Sequence, residues 1–202
     1  MKLTIITGGL REPSSTRLLA DRLAAAVADE VRQRSGQRAE TTFVELRPLG
    51  HPIMDAMLTG FTREELQSAF DAVAGADGVI AVTPAFNASF SGLFKSFFDV
   101  LPEHTLADMP VLIGATGGTE RHSLVLEHAL RPMFTYLHAI VAPRAVYAAT
   151  SDFGESESSL GKRVVDAAAD YSRLLHACGP RARRAEIDED LASMQQLLGD
   201  TS

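Results

Sequence analysis

The sequence predicts a doubly wound α/β domain, a three-layer sandwich built on a five-stranded parallel sheet in the order 2-1-3-4-5. Three observations carry this expectation. Short runs rich in β-branched residues alternate along the chain with longer stretches of helical apolar spacing. The third such run, Gly78-Val79-Ile80-Ala81-Val82, has no polar side chain, as a strand covered on both faces requires. Finally, 202 residues that are 46% hydrophobic and 22% charged can bury a core without disulfides or a structural metal.

The elements follow in order. Leu3–Thr7 is the first strand and ends in Gly8-Gly9. Leucines, alanines, Val27 and Val31 then recur at helical spacing from Thr16 to Arg34. Thr41–Leu46 alternates as strand two, and Thr62 with Glu65 forms a capping box opening a helix to Ala74. Gly78–Val82 is strand three, Gly92–Leu101 a helix, Pro110–Ala115 strand four, Glu120–His138 a helix and Val141–Ala148 strand five. The last helix, Leu160–Ala177, is stopped by Gly179-Pro180. Right-handed crossovers and five strands favour the flavodoxin-like order over the six-stranded dinucleotide fold. Strands one, three and four are then neighbours, and the loops leaving them converge on one crevice. Residues 1–178 form this domain and residues 179–202 a helical tail. In the tail Ile187, Leu191, Met194 and Leu198 share one face, which docks on its own body or a neighbour, or stays a free helix.

Composition excludes several classes of function. The longest apolar runs have fewer than ten residues, against the ~20 that a membrane span needs. The N-terminus turns polar too early for a signal peptide. A single cysteine, Cys178, fits a reducing cytoplasm and reads as a small buried residue. Nineteen basic against 26 acidic residues, a formal charge of −7, argue against general nucleic-acid binding. The chain has no Gly-x-Ser-x-Gly elbow, no His-Glu-x-x-His and no Cys-x-x-Cys, and its six histidines lack ligand spacing, so no metal is expected.

Each of the three loops has a ligand reading and a plainer one. The first, Thr7-Gly8-Gly9-Leu10-Arg11-Glu12-Pro13-Ser14-Ser15-Thr16, combines close-turning glycines, hydroxyls, a helix N-terminus and a bidentate cation. These suit a terminal monophosphate; without the Gly-Lys-Ser/Thr of a Walker loop they suit a triphosphate poorly. The plainer reading is an ordinary N-cap with a surface arginine. The loop Thr83–Gly92 offers Pro84, Ala85, the flat face of Phe86 and the amide of Asn87 to a planar heterocycle. Alternatively its phenylalanines cover the core, the better reading for Phe90. In Ala115-Thr116-Gly117-Gly118-Thr119 two glycines admit close approach of a flat ligand, or simply make a strand-to-helix turn.

Three further features stand out. Pro132 cannot bond to the carbonyl of His128, which predicts a kink or π-bulge there, near the ligand or a subunit contact. His122 and His128 serve a proton relay or are surface residues, and Arg121 reaches a nucleotide phosphate or solvent. The helices 92–101 and 124–137 carry more apolar residues than one stripe needs, which predicts a homodimer or tetramer through them.

These segments resemble the NAD(P)H-dependent FMN reductases of flavodoxin-like fold, especially the reductase components of two-component monooxygenase systems. The resemblance runs over about residues 1–178. It is carried by Gly9–Thr16, by Thr83–Gly92 with Lys95, by Ala115–Thr119, and most specifically by Leu126-Glu127-His128-Ala129-Leu130-Arg131-Pro132, similar to alkanesulfonate-type reductases. It implies FMN held by Gly9, Arg11, Ser14 and Thr16 at the phosphate, and by Pro84, Ala85, Phe86, Asn87, Thr116, Gly117 and Gly118 at the ring. NADPH or NADH would donate hydride from nicotinamide C4 to flavin N5, with no general acid or base and His128 at most auxiliary. Reduced FMN would then pass to a partner monooxygenase. A reductase that keeps FMN and reduces quinones or azo dyes is the alternative, and a flavodoxin-type electron carrier is another. The family often has a serine at Gly9 and a tyrosine at Phe86, and some relatives widen the helix into a π-bulge at the position of His128.

Overall fold

The computed structural model describes residues 1–154 and 159–180. Four parallel strands form the body of the sheet: β1 (Lys2–Thr7), β2 (Glu40–Glu45), β3 (Gly78–Phe86) and β5 (Pro110–Gly117). They lie in the order β2-β1-β3-β5. The outer edge beyond β5 is shared by β6 (Ile140–Val141) and β7 (Val146–Ala149), both parallel to it. The expected 2-1-3-4-5 order is therefore present, with its fifth strand in two pieces. The split has a local cause. Four residues, 142–145, face the two of β5 between Val111 and Gly114, and Pro143 among them has no N–H to give a ladder.

Side chains alternate across the sheet and fill two cores. Ile5, Ile80, Val82 and Leu112 pack under α1 (Ser15–Ser35) and α6 (Ser159–Cys178). Ile6, Val79, Ala81 and Ile113 pack under α2 (Gly50–Thr59), α3 (Glu64–Ala74), α4 (Gly92–Val100) and α5 (Arg131–Tyr136). The uninterrupted apolar run of β3 is thus explained by burial on both faces. The Tyr171 hydroxyl of α6, fully buried, lies 2.9 Å from the carbonyl of Val79 and 3.0 Å from that of Pro110. Tyr171→Phe leaves both carbonyls without that donor. It should cost about 1–3 kcal/mol in equilibrium denaturation, with no change in substrate KM.

Several local expectations are corrected. The helix α2 was not anticipated, although Pro52 in its first turn and Gly60 just past its end, at φ 76°, are its sequence signals. The capping box at Thr62 does not form: α3 is capped one residue later at Arg63, without a side-chain bond, and Arg63 pairs with Asp55 at 2.6 Å. Cys178, at the end of α6, is exposed rather than buried. The tail beyond residue 180 lies outside the described residues.

Strand β3 runs four residues past its expected end at Val82. It turns back at Asn87-Ala88 into β4 (Ser89–Phe90), which pairs antiparallel with Ala85 and Phe86. Both turn residues have positive φ, 48° and 66°, as a two-residue hairpin turn demands. Alanine is strained there by roughly 1–2 kcal/mol. Ala88→Gly, after the entropy glycine loses on folding, should raise stability by about 0.5–1 kcal/mol.

The helix expected over 120–138 is broken. A short 3-10 turn (Glu120–His122) precedes a π-turn at Leu126–Leu130, in which the Arg131 N–H reaches the Leu126 carbonyl, and α5 follows. The distortion falls where Pro132 predicts it. Arg131 also clamps this turn to the split edge strand. Its guanidinium bonds the Glu127 carboxylate at 2.6 and 3.0 Å and donates to the carbonyls of Ala142 and Pro143 at 3.0 and 3.2 Å.

Much of the apolar surplus on helices 92–101 and 124–137 is used inside the molecule. Phe94, Phe97, Phe98, Leu130 and Phe134 are buried together with Ile53 and Ala56 of α2, the helix whose presence the sequence reading lacked. Leu124 and Tyr136 stay exposed, as do Met54, Met57, Leu58 and Phe61 at α2.

Candidate functional site

At the C-terminal edge of the sheet the segment after β1 and the ends of β3 and β5 line one cleft of about 650 Å³. The crossover order dictates this convergence, because β1, β3 and β5 are adjacent and parallel. Of the residues singled out in the sequence, Arg11, Ser14, Thr16, Pro84, Ala85, Phe86, Thr116, Gly117 and Gly118 all line it.

One end is built by the start of α1. Ser14 is its N-cap, with Oγ accepting the Arg17 N–H at 3.1 Å. The other first-turn amides have no partner within the helix, and no acidic residue occupies that turn. This end is suited to an anion. Among the described residues, Arg11 is the one ionisable side chain lining the cleft and it makes no ion pair. Neighbouring arginines are engaged: Arg17 with Asp21 at 2.8 Å and with Glu45, Arg47 with Glu12 at 3.0 Å. The hydrogen bond to Asp21 raises the Arg17 pKa further, fixing it as a cation committed to its own carboxylates.

The floor joins the two ends. Thr16 and Thr116, a hundred positions apart, are both buried and their hydroxyls lie 2.9 Å from each other. One hydroxyl proton makes that bond, and the second is left to donate elsewhere. The sequence reading put Thr16 at the phosphate and Thr116 at the ring; the fold makes them partners.

The far end is flat and apolar, formed by Pro84, Ala85 and Phe86 on the β3 side and Gly117-Gly118 on the β5 side. At Gly117 there is no room for a side chain, since a Cβ would overlap the Tyr147 hydroxyl. A Cβ at Gly118 would meet nothing within 4 Å.

Six residues singled out in the sequence lie outside the lining. Gly9 faces an adjoining recess with Arg11 and Ser14, where a Cβ would overlap Ser14 Oγ, so any side chain at this position would displace the cap. Asn87 occupies the exposed hairpin turn at positive φ, beyond the cleft's lining residues. His128 is exposed on the π-turn, and His122 and Arg121 are exposed on the 3-10 turn. Lys95 pairs with Asp99. Conversely, Leu10, Ser15, Leu18, Thr150 and Phe153 line the cleft without having been singled out. Thr150 and Phe153 follow β7, and the only signal for them was that this strand also ends at the same sheet edge. Among the described residues there is no group of three or more His, Cys, Asp or Glu able to hold a metal. No described helix is long and apolar enough to cross a membrane.

The family model described as NADPH-dependent FMN reductase matches residues 1–154. An FMN reductase (NADPH) of Pseudomonas aeruginosa is 36% identical over 152 residues, 75% of this chain and 78% of that protein. The NADH-dependent FMN reductase SfnE of Pseudomonas putida is 33% identical over 167 residues, 81% and 87% of the two chains. Among solved structures, an oxidoreductase from Corynebacterium diphtheriae superposes with a TM-score of 0.83 at 42% identity, covering 87% of this chain and 97% of its own. The apo form of the NADH:FMN oxidoreductase EMOB superposes at 0.66 with 28% identity, covering 88% and 87%.

Proposed function

Since this chain belongs to the NADPH-dependent FMN reductase family, we propose that its three-segment cleft holds FMN, with the phosphate at Arg11, Ser14 and Ser15 and the ring between Pro84–Phe86 and Thr116–Gly118. The activity is NAD(P)H-dependent reduction of FMN, and the flavin's own chemistry is to accept hydride from the nicotinamide. The residues fit the group. The anion end has first-turn amides without a partner inside the helix and, among the described residues, an arginine that makes no ion pair. The ring end has a glycine pair, Gly117 backed by the Tyr147 hydroxyl and Gly118 facing open space, so a flat group can approach the backbone closely. What this chain contributes is binding, orientation and exclusion of water from one ring face.

We further infer that FMN is an exchangeable substrate whose reduced form passes to a partner monooxygenase. The observation that supports this is the open rim: Leu10, Leu18 and Phe86 are 41%, 41% and 42% exposed. The alkanesulfonate-type segment Leu126–Pro132 supports the same destination. Self-association as a homodimer or tetramer is supported by exposed Leu124, Tyr136, Leu58 and Phe61, and a cytoplasmic location by the single cysteine.

The test is an absorbance spectrum of the purified protein followed by NADPH and NADH oxidation with added FMN. Flavin-poor protein whose turnover saturates with added FMN is expected. Stoichiometric flavin surviving purification, with ping-pong kinetics on quinones, would favour the bound-flavin reductase instead. Light scattering at micromolar concentration should give a multiple of the 21.7 kDa chain mass; a monomer overturns the association.

A further inference from the structure

Two hydroxyls reach the Gly117–Thr119 loop from the region of the neighbouring strand β7. Tyr147 is 7% exposed and its phenol donates to the carbonyl of Thr119 at 2.7 Å. Thr150 Oγ1 donates to the carbonyl of Gly117 at 3.5 Å, a longer and weaker tie. The phenol also fills the position a Cβ of residue 117 would take, while Gly118 faces open space. The loop therefore lies on the tyrosine with its other side free.

The tyrosine is itself anchored. Arg163 of α6 donates to the Tyr147 carbonyl at 3.4 Å and pairs with Asp152 at 2.9 Å, and Asp152 accepts the Ala149 N–H at 2.8 Å. Burial, reinforced by Asp152, raises the phenol above its usual range, so it is a donor throughout any ordinary assay.

We propose that Tyr147 is a positioning residue for flavin: its hydroxyl, seated under Gly117 and bonded to the Thr119 carbonyl, sets the height of the glycine backbone against which the ring lies. The proposal rests on the reading of the cleft as the FMN site. It makes Gly117 and Tyr147 a coupled pair, in which the absent side chain at one position is matched to the hydroxyl at the other.

The test compares Tyr147→Phe, Gly117→Ala and the double variant by steady-state kinetics and by FMN titration, with melting temperature as a control. Tyr147→Phe removes only an oxygen, and the Thr119 carbonyl it leaves belongs to an exposed residue that water can serve. It should raise KM for FMN roughly two- to tenfold, the loss of one neutral hydrogen bond, with kcat at saturating FMN within about twofold. Gly117→Ala alone should raise it more. In the double variant KM should fall part of the way back toward the Tyr147→Phe value, because the overlapping oxygen is gone and the remaining ring carbon, 3.2 Å from that Cβ, needs only a small shift. A purely structural tyrosine would instead lower the melting temperature with KM unchanged. Unaltered KM in Tyr147→Phe, or a double variant showing no relief relative to Gly117→Ala, overturns the positioning role while FMN turnover by the parent stands. Absence of FMN turnover in the parent overturns the reading of the cleft itself.

Discussion

Arg11→Ala is expected to raise the FMN concentration needed for half-maximal turnover by roughly tenfold to a hundredfold. Riboflavin turnover should be nearly unchanged. A hydrogen-bonded cation facing a phosphate contributes about 1.5–3 kcal/mol, and each 1.4 kcal/mol is about tenfold. The effect is specific to this arginine, because Arg17 and Arg47 are held by carboxylates while Arg11 lines the cleft without one. Riboflavin supplies the control: it keeps the ring and lacks the phosphate, so an effect routed through Arg11 cannot reach it. Equal losses on both flavins in Michaelis–Menten assays would show that Arg11 shapes the cleft generally and would remove the phosphate from its place beside α1.

Phe94→Ala should produce the largest loss of stability, about 3–5 kcal/mol, or a fall of roughly 6–20 °C in melting temperature for a chain of this size. Phe94 is fully buried, 4.9 Å from the Phe98 ring centroid and 6.4 Å from that of Phe134, and the shortened side chain leaves a cavity that this rigid cluster cannot close. It also supports the site. Its backbone N–H is capped by Ser91 Oγ at 3.2 Å, and its ring lies 6.2 Å from Phe90 of the hairpin that presents Phe86. Thermal unfolding followed by circular dichroism checks the first effect, and a raised KM for FMN in the folded fraction checks the second. A fall below about 1 kcal/mol would mean that the phenylalanine cluster repacks freely, contrary to the packing described.

The sheet order, the converging segments and the distorted turn before Pro132 were legible because each depends on a local or topological rule. Apolar runs identify strands, crossover handedness orders them, and a proline's missing N–H acts on the carbonyl four residues earlier. The hairpin at Asn87-Ala88 was less legible. Its positive φ angles suit asparagine but not alanine, so the turn is held by pairing across Ala85–Phe90 and by Thr83 Oγ1, which accepts the Ser91 N–H at 3.1 Å, rather than by its own residue preferences. How much of the apolar surplus on α4 and around Leu130 goes into the core is not legible along the chain, because α2, which covers part of it, carries only weak local signals.

From its amino acids alone this chain is committed to a five-element parallel sheet with a glycine- and hydroxyl-rich edge and one arginine placed for an anion. Folding alone decides that Thr16 meets Thr116, that Tyr147 lies under Gly117, and that Asn87 sits in a hairpin turn. The physical reason is the range of each constraint. Strand and helix patterns repeat within a few residues and can be read along the chain. A hydrogen bond between side chains a hundred positions apart, or an oxygen occupying the space of an absent Cβ, depends on the register of strands that meet only after the sheet has assembled.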